Sequence, residues 1–276
     1  GGLTRLTDKR KIRRDLADVF CTMEEGVKAK KAFEWRLVDT ILKKTTLNEN
    51  EIKYSTISVN IDRDKKSVTI TIQAPVDKAP INIEDILSQG DDVWLLRCAR
   101  ELDDAILYLR FNELEIGIIF FKTRGEIGKV LSYDKLFETF ENHWFIKEIS
   151  YYWSRVFKRI DLTSRTLTTL IEAGSCYAGF LCELIFSADR SYMAEGKFEE
   201  LNNKEASIVL SNSNFGRFLM SNDMSRLNTR FIGLPNQLLL TKQNQSKYIL
   251  AKEAYELGLI TFIFDDIDWD DEIRLF

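Results

Sequence analysis

The chain has 276 residues, with 39 Lys and Arg against 43 Asp and Glu and a single His, for a net charge of −4. At 45% hydrophobic and 30% charged it can bury a core, which excludes wholesale disorder; no apolar run reaches the ~18–20 residues that cross a bilayer. An isoelectric point near 5.4 argues against a nucleic-acid binder, which needs a net basic face.

Cys21, Cys98, Cys176 and Cys182 have neither Cys-x-x-Cys nor zinc-ligand spacing, so reduced thiols in a cytoplasm are the simplest reading. A lone His143 removes multi-histidine metal sites. The chain opens without Met, on Gly1-Gly2-Leu3-Thr4-Arg5, directly into charged helical sequence. We therefore expect it to enter a domain midway.

In chain order, residues 8–40 read as helices, with Leu16, Val19 and Phe20 and then Val27, Ala32, Phe33 and Leu37 at helical spacing. Asn48 and Asn50 mark a break. From Tyr54 the period changes to two: Ile57, Val59 and Ile61, a charged turn, then Val68, Ile70 and Ile72, a β-hairpin with one buried face. Pro75 and Pro80 end it. The pattern predicts one helix over Glu84–Leu109, a doubly covered strand over Ile116–Phe121, and a long helix over Tyr133–Lys158. A strand over Leu167–Ile171 and a helix over Ala178–Phe186 complete an α/β alternation.

An internal repeat carries the most information. Thr4-Arg5-Leu6 recurs 221 residues later as Ser225-Arg226-Leu227. Ala29-Lys30-Lys31-Ala32-Phe33-Glu34-Trp35-Arg36-Leu37-Val38 recurs 222 residues later as Ala251-Lys252-Glu253-Ala254-Tyr255-Glu256-Leu257-Gly258-Leu259-Ile260. Solenoid periods are only ~20–50 residues, so this repeat is a domain. The expected organisation is the C-terminal helices of a first copy in 1–50 and a second, degenerate copy in 51–276.

The pattern Gly1-Gly2-x-x-Arg5-Leu6, then helices, then Ala29-x-x-Ala32-x-x-x-x-Leu37-Val38 resembles the C-terminal third of the crotonase (enoyl-CoA hydratase/isomerase) superfamily. The hairpin at 54–72, the run Ile116–Phe121 and the stretch Ile171–Leu184 resemble its opening hairpin, second core strand and glycine-rich strand-to-helix turn. Four further stretches are similar to a ring-opening branch of that superfamily. They are Thr7–Lys11 with Asp15–Thr22, Ala99–Leu107, Gly174-Ser175-Cys176 with Ala188–Met193, and Asp265–Ile273.

The resemblance implies an α/β spiral of ββα repeats with flanking helices. It also implies an enzyme that hydrolytically opens the ring of 2,3-epoxidised benzoyl-CoA in aerobic benzoate degradation. The substrate brings its own coenzyme A, and no other cofactor is expected. An acyl-CoA, the absent N-terminal half and further copies of the chain are the implied partners, with no nucleic acid and no membrane. A generic enoyl-CoA hydratase or isomerase is the alternative enzyme, and a non-catalytic scaffold or dimerisation module the alternative of another class.

Superfamily chemistry uses two backbone N–H donors on the thioester oxygen, worth ~3–4 kcal/mol each, with carboxylates moving protons. By register Glu183 matches the first catalytic Glu, and the second donor falls at Gly179-Phe180-Leu181, where Gly179 and the Phe180 N–H are the candidate substrate-binding groups. Bulky residues there predict a pocket filled by side chains. Lys122–Gly128 lacks the Phe-x-Ala-Gly-Ala pattern of the first donor, and no carboxylate stands at Ser211-Asn212, where the second Glu would fall. The second copy is thus expected to be structural.

Other signals read as architecture. Ser175 has no Gly-x-Ser-x-Gly frame and reads as a turn residue, and Gly125, Gly128, Gly174 and Gly179 form no phosphate loop. His143 reads as a helix residue, and Lys9–Arg14 as a solvated face, with contact to the phosphates of coenzyme A as the alternative. Asp265–Glu272 lacks a calcium-loop frame and reads as a turn with a helix start.

Overall fold

The computed structural model describes residues 5–22, 27, 29–38, 46–196, 205–265 and 268–274. Thr4 of the repeat, Glu24 to Gly26 of the first helical stretch, and Asp266 and Ile267 of the acidic run lie outside the described residues. The chain divides into two compact units, Gly1–Thr45 and Thr46–Phe276.

In the first unit a π-helical turn, Arg5–Lys9, precedes two helices, α1 (Arg14–Thr22) and α2 (Ala29–Glu34). Arg36, at φ 58°, ends α2. Its N–H donates to Phe33 O at 2.9 Å, and Leu37 N–H donates to Ala32 O at 2.8 Å. These two bonds make a Schellman cap, a position that usually takes glycine because an L side chain crowds the left-handed backbone.

The second unit is built on an eight-stranded sheet in the order β1-β2-β3-β4-β5-β6-β7-β10. Strands β1 (Thr46–Leu47), β2 (Glu51–Lys53), β3 (Ile57–Asp62) and β4 (Ser67–Gln73) are antiparallel. The hairpin pairs Ile57 with Ile72, Val59 with Ile70 and Ile61 with Val68, and all six are buried. Each such burial contributes about 1.5–3 kcal/mol.

After the hairpin, α3 (Ile83–Gln89) and α4 (Trp94–Asn112) replace the single helix predicted there. Gly90, at φ 56°, breaks it, its N–H turning back to Leu87 O. Strand β5 covers Ile118–Arg124, two residues past the predicted start. The predicted helix from Tyr133 is also interrupted, and becomes α5 (Ile127–Asp134), α6 (Leu136–Thr139) and α7 (Trp144–Asp161). His143 caps α7 by accepting the Phe145 N–H at 3.3 Å.

Strand β6 (Thr166–Ile171) lies parallel to β5. The predicted helix over Ala178–Phe186 is a 3₁₀ turn, Gly179–Cys182, running into a short α8, Glu183–Ser187. Next come β7 (Arg190–Ala194), β8 (Ser207–Ile208), a 3₁₀ turn over Asn212–Phe215, α9 (Arg226–Arg230) and α10 (Pro235–Gln243). Then β9 (Ile249–Leu250) pairs with β8, and α11 (Ala251–Glu256) leads to β10 (Phe262–Phe264) and α12 (Trp269–Arg274). Strands β4 to β7 and β10 run parallel.

The two Ala-x-x-Ala stretches share their local structure, whereas Arg5 opens a π-helical turn and Arg226 an α-helix. Helix α11 ends on the same cap as α2, with Gly258 at φ 70°, its N–H on Tyr255 O at 2.9 Å, and Leu259 N–H on Ala254 O at 2.9 Å. In each unit an Arg from the preceding segment donates to the carbonyl of the left-handed residue: Arg10 to Arg36 O at 3.3 Å, and Arg230 to Gly258 O at 2.7 Å.

Candidate functional site

Glu183 opens α8 at the end of the turn that leaves β6, and is 1% exposed. Both of its carboxylate oxygens accept hydrogen bonds. Oε1 accepts from Asn214 Nδ2 at 2.8 Å and Oε2 from Arg226 Nη1 at 2.9 Å. Arg226 is itself buried and forks onto Asp161, the last residue of α7, through Nε at 3.0 Å and Nη2 at 2.6 Å. Its Nη1 also donates to Phe218 O at 2.8 Å, and its guanidinium lies 5.2 Å from the Phe157 ring centroid.

Two carboxylates thus share one guanidinium. Asp161 holds it bidentately, the geometry that suits a guanidinium best, so the Glu183 charge is the surplus one. Burial pushes Glu183 up to about 7, against the pull of Arg226 and Asn214.

The candidate amides are occupied as well. Gly179 N–H donates to Val209 O at 2.9 Å, and Phe180 N–H donates to Asp134 Oδ1 at 2.8 Å. Asp134, the last residue of α5, is 4% exposed, and burial raises its carboxyl. Gly179 sits at φ 52°, and a Cβ there would lie 2.4 Å from Asp134 Cγ. Only glycine lets that carboxylate approach the turn so closely.

The rest of the volume is aromatic. The Phe180 ring packs 4.8 Å from Trp153, 5.7 Å from Phe137 and 6.0 Å from Trp94, while Phe218 meets Phe137 and Phe157 at 5.4 Å each. Edge-to-face pairs of this kind add about 0.5–1.5 kcal/mol beyond burial. Side chains fill the space around the turn, as Phe180 and Leu181 suggest.

The structure therefore brings Gly179, Phe180 and Glu183 together, joined by Asp134, Asp161, Asn214 and Arg226, to which sequence reasoning gave no role. Arg226 carried a signal as an anchor of the repeat. Asn214 stands just past Ser211-Asn212 and makes a reciprocal cap with Ser211, whose N–H donates to Asn214 Oδ1 at 3.0 Å.

The other singled-out residues have local partners of their own. Ser175 Oγ accepts the Glu172 N–H at 3.0 Å within a turn. Lys122 and Arg124 both pair with Glu172, the former at 2.6 Å. Asp265 caps a turn by accepting the Asp268 N–H at 3.1 Å. The Lys9–Arg14 stretch bridges the π-helical turn and α1, with Arg13 held 2.7 Å from Asp15. Among the described residues no cluster of His, Cys, Asp or Glu is placed to hold a metal, and no helix is long and apolar enough to cross a membrane.

No protein-family model matches the chain. It is 39% identical over 308 aligned positions to benzoyl-CoA-dihydrodiol lyase of Aromatoleum evansii, an alignment that takes in 100% of this chain and 55% of that protein. The chain thus spans about half the length of the curated relative it matches. Among solved structures it resembles an enoyl-CoA hydratase/carnitine racemase from Magnetospirillum magneticum, with a TM-score of 0.53 and 12% identity over 82% of this chain and 74% of that one. An enoyl-CoA hydratase of Mycobacterium smegmatis gives 0.53 and 14% over 80% and 75%, and a hydratase/isomerase from Bordetella parapertussis 0.51 and 13% over 80% and 77%. At such identities these structures speak for the fold, and the similarity to the lyase along the whole chain speaks for descent. Along its whole length the chain is similar to a benzoyl-CoA-dihydrodiol lyase, and it shares the fold of enoyl-CoA hydratases.

Proposed function

We propose that this chain is part of a crotonase-superfamily enzyme acting on a CoA thioester, one that opens the ring of 2,3-epoxidised benzoyl-CoA in aerobic benzoate degradation. Similarity to a benzoyl-CoA-dihydrodiol lyase across the whole chain supports that substrate class. In this reading residues 51–276 form a structural copy, and the chemistry belongs to an N-terminal half outside this sequence. Residues 1–50 are the C-terminal helices of that first copy, and Arg5 stands there where Arg226 stands in the second. The enzyme works in the cytoplasm as a homo-oligomer and needs no cofactor beyond the coenzyme A of its substrate.

One observation carries the assignment of a structural role: every group that would touch a thioester at the Glu183 turn is already bound inside the protein. An oxyanion hole needs N–H donors about 2.7–3.1 Å from the developing charge, and the Phe180 N–H is spent on Asp134. A general base must lie within reach of substrate, and Glu183 is buried with both oxygens held by Asn214 and Arg226.

The test compares this chain with a longer polypeptide that includes the upstream half, on the epoxide thioester and on crotonyl-CoA. The expected result is turnover of the epoxide by the longer protein and none by the chain alone. Turnover by the chain that disappears in Glu183→Gln would overturn the structural reading of 51–276. Hydration of crotonyl-CoA in preference to ring opening would overturn the ring-opening assignment.

A further inference from the structure

Across β3 to β6 runs a cleft of about 510 Å³, bordered on one side by α12. Its wall is the sheet face that alternates away from the core residues Val59, Ile70 and Phe121. Register sets Asn60 opposite Thr69 and Thr69 opposite Phe120, so an amide, a hydroxyl and a ring stand in one row across three strands. Phe120 and Leu170 form an apolar floor. None of these residues belongs to the Glu183 network.

Three uncharged polar side chains of the lining are unspent. Asn60, Ser67 and Thr69 make no side-chain hydrogen bond among the described residues, although all three border the cleft. Lys65, on the rim, is in no ion pair there, and Arg274 has only a loose contact of 3.7 Å with Asp271. Lys122 also lines the cleft, but its charge is answered by Glu172 at 2.6 Å. One acid lines the cleft itself, Asp62, whose Oδ1 accepts the Lys65 N–H at 3.0 Å. The lining is therefore net positive, with free donors over an apolar floor.

We propose that this cleft binds a small amphipathic anion, an apolar body bearing one carboxylate or phosphate. The volume lies within the ~300–1,000 Å³ of small-molecule sites, which pair apolar walls with a few converging polar groups. The apolar body lies on Phe120 and Leu170. The head group takes donors from Thr69, Ser67 and Asn60 and charge from Lys65 and Arg274. A neutral ligand of the same shape would leave the two cations unanswered.

Calorimetric titration of the chain with 1-naphthoate and 1-naphthyl phosphate, beside 1-naphthalenemethanol, tests this. Saturable binding of at least one anion is expected, with the alcohol weaker by about tenfold or more. The exposed double variant Lys65→Glu/Arg274→Glu should weaken the anion by at least about tenfold with an unchanged thermal melt. Thr69→Trp, which plugs the cleft, should abolish binding. The proposal fails if the alcohol binds as tightly as the anions, if charge reversal leaves affinity unchanged, or if neither anion saturates at millimolar concentration.

Discussion

Arg226 shows how much of a buried site one side chain can hold. Its guanidinium satisfies Asp161 bidentately, donates through Nη1 to Glu183 and Phe218 O, and lies against Phe157. A buried pair of this kind is weak support for net stability, but removing one partner is costly because the other charge stays behind. Arg226→Met should therefore lower stability by about 3–5 kcal/mol, since it leaves Asp161 and Glu183 buried without a counter-ion. Urea unfolding of the variant checks this, and a loss below about 1 kcal/mol would mean that the carboxylates find water or one another's proton instead. Asp134 works on the same scale from the other side, a carboxylate that its own protein places on the Phe180 amide.

Two helices of the chain end alike. Helices α2 and α11 are six residues long and end on the same pair of cap bonds, each closed by an Arg on the left-handed carbonyl. The difference lies in the cap residue, Arg36 in one and Gly258 in the other. A left-handed backbone costs an L residue roughly 1–2 kcal/mol, partly offset because glycine gains freedom when unfolded. Arg36→Gly should thus stabilise α2 by about 0.5–1 kcal/mol, read as a rise in amide protection of Trp35 to Leu37. Reduced protection would show that the Arg36 side chain contributes more than its backbone costs.

For the whole molecule, pH dependence follows from the surplus buried charge. Glu183 titrates near 4.5 when unfolded and near 7 in the fold. Between those values the folded chain keeps a proton that the unfolded chain has lost. Its contribution to stability is therefore complete below about 4.5 and is lost as pH rises through about 7. The loss is on the order of 3 kcal/mol, and the raised Asp134 carboxyl adds to it with the same sign. Urea midpoints at pH 5 and pH 8 should show lower stability at the higher pH. Glu183→Gln should reduce that difference and leave the part due to Asp134. An unchanged slope in the variant would locate the titration elsewhere.

The sequence by itself determined the parts whose physics is local. Alternation in Ile57–Ile61 and Val68–Ile72 could only be a half-buried hairpin, and the recurring Ala-x-x-Ala marked two helices that end on the same cap bonds. Bulky Phe180 and Leu181 beside Gly179 foretold a filled turn, because volume is a property of the residues themselves. Helix ends were less legible: apolar spacing continues across Gly90 and His143, and the breaks depend on one left-handed glycine and one imidazole cap. Only the tertiary structure decided the state of the site. Asp134, Asp161, Asn214 and Arg226 come from four separate elements around Glu183. No periodicity records which buried donor meets which buried acceptor, because that pairing is fixed by packing and by the cost of leaving any of them unpaired.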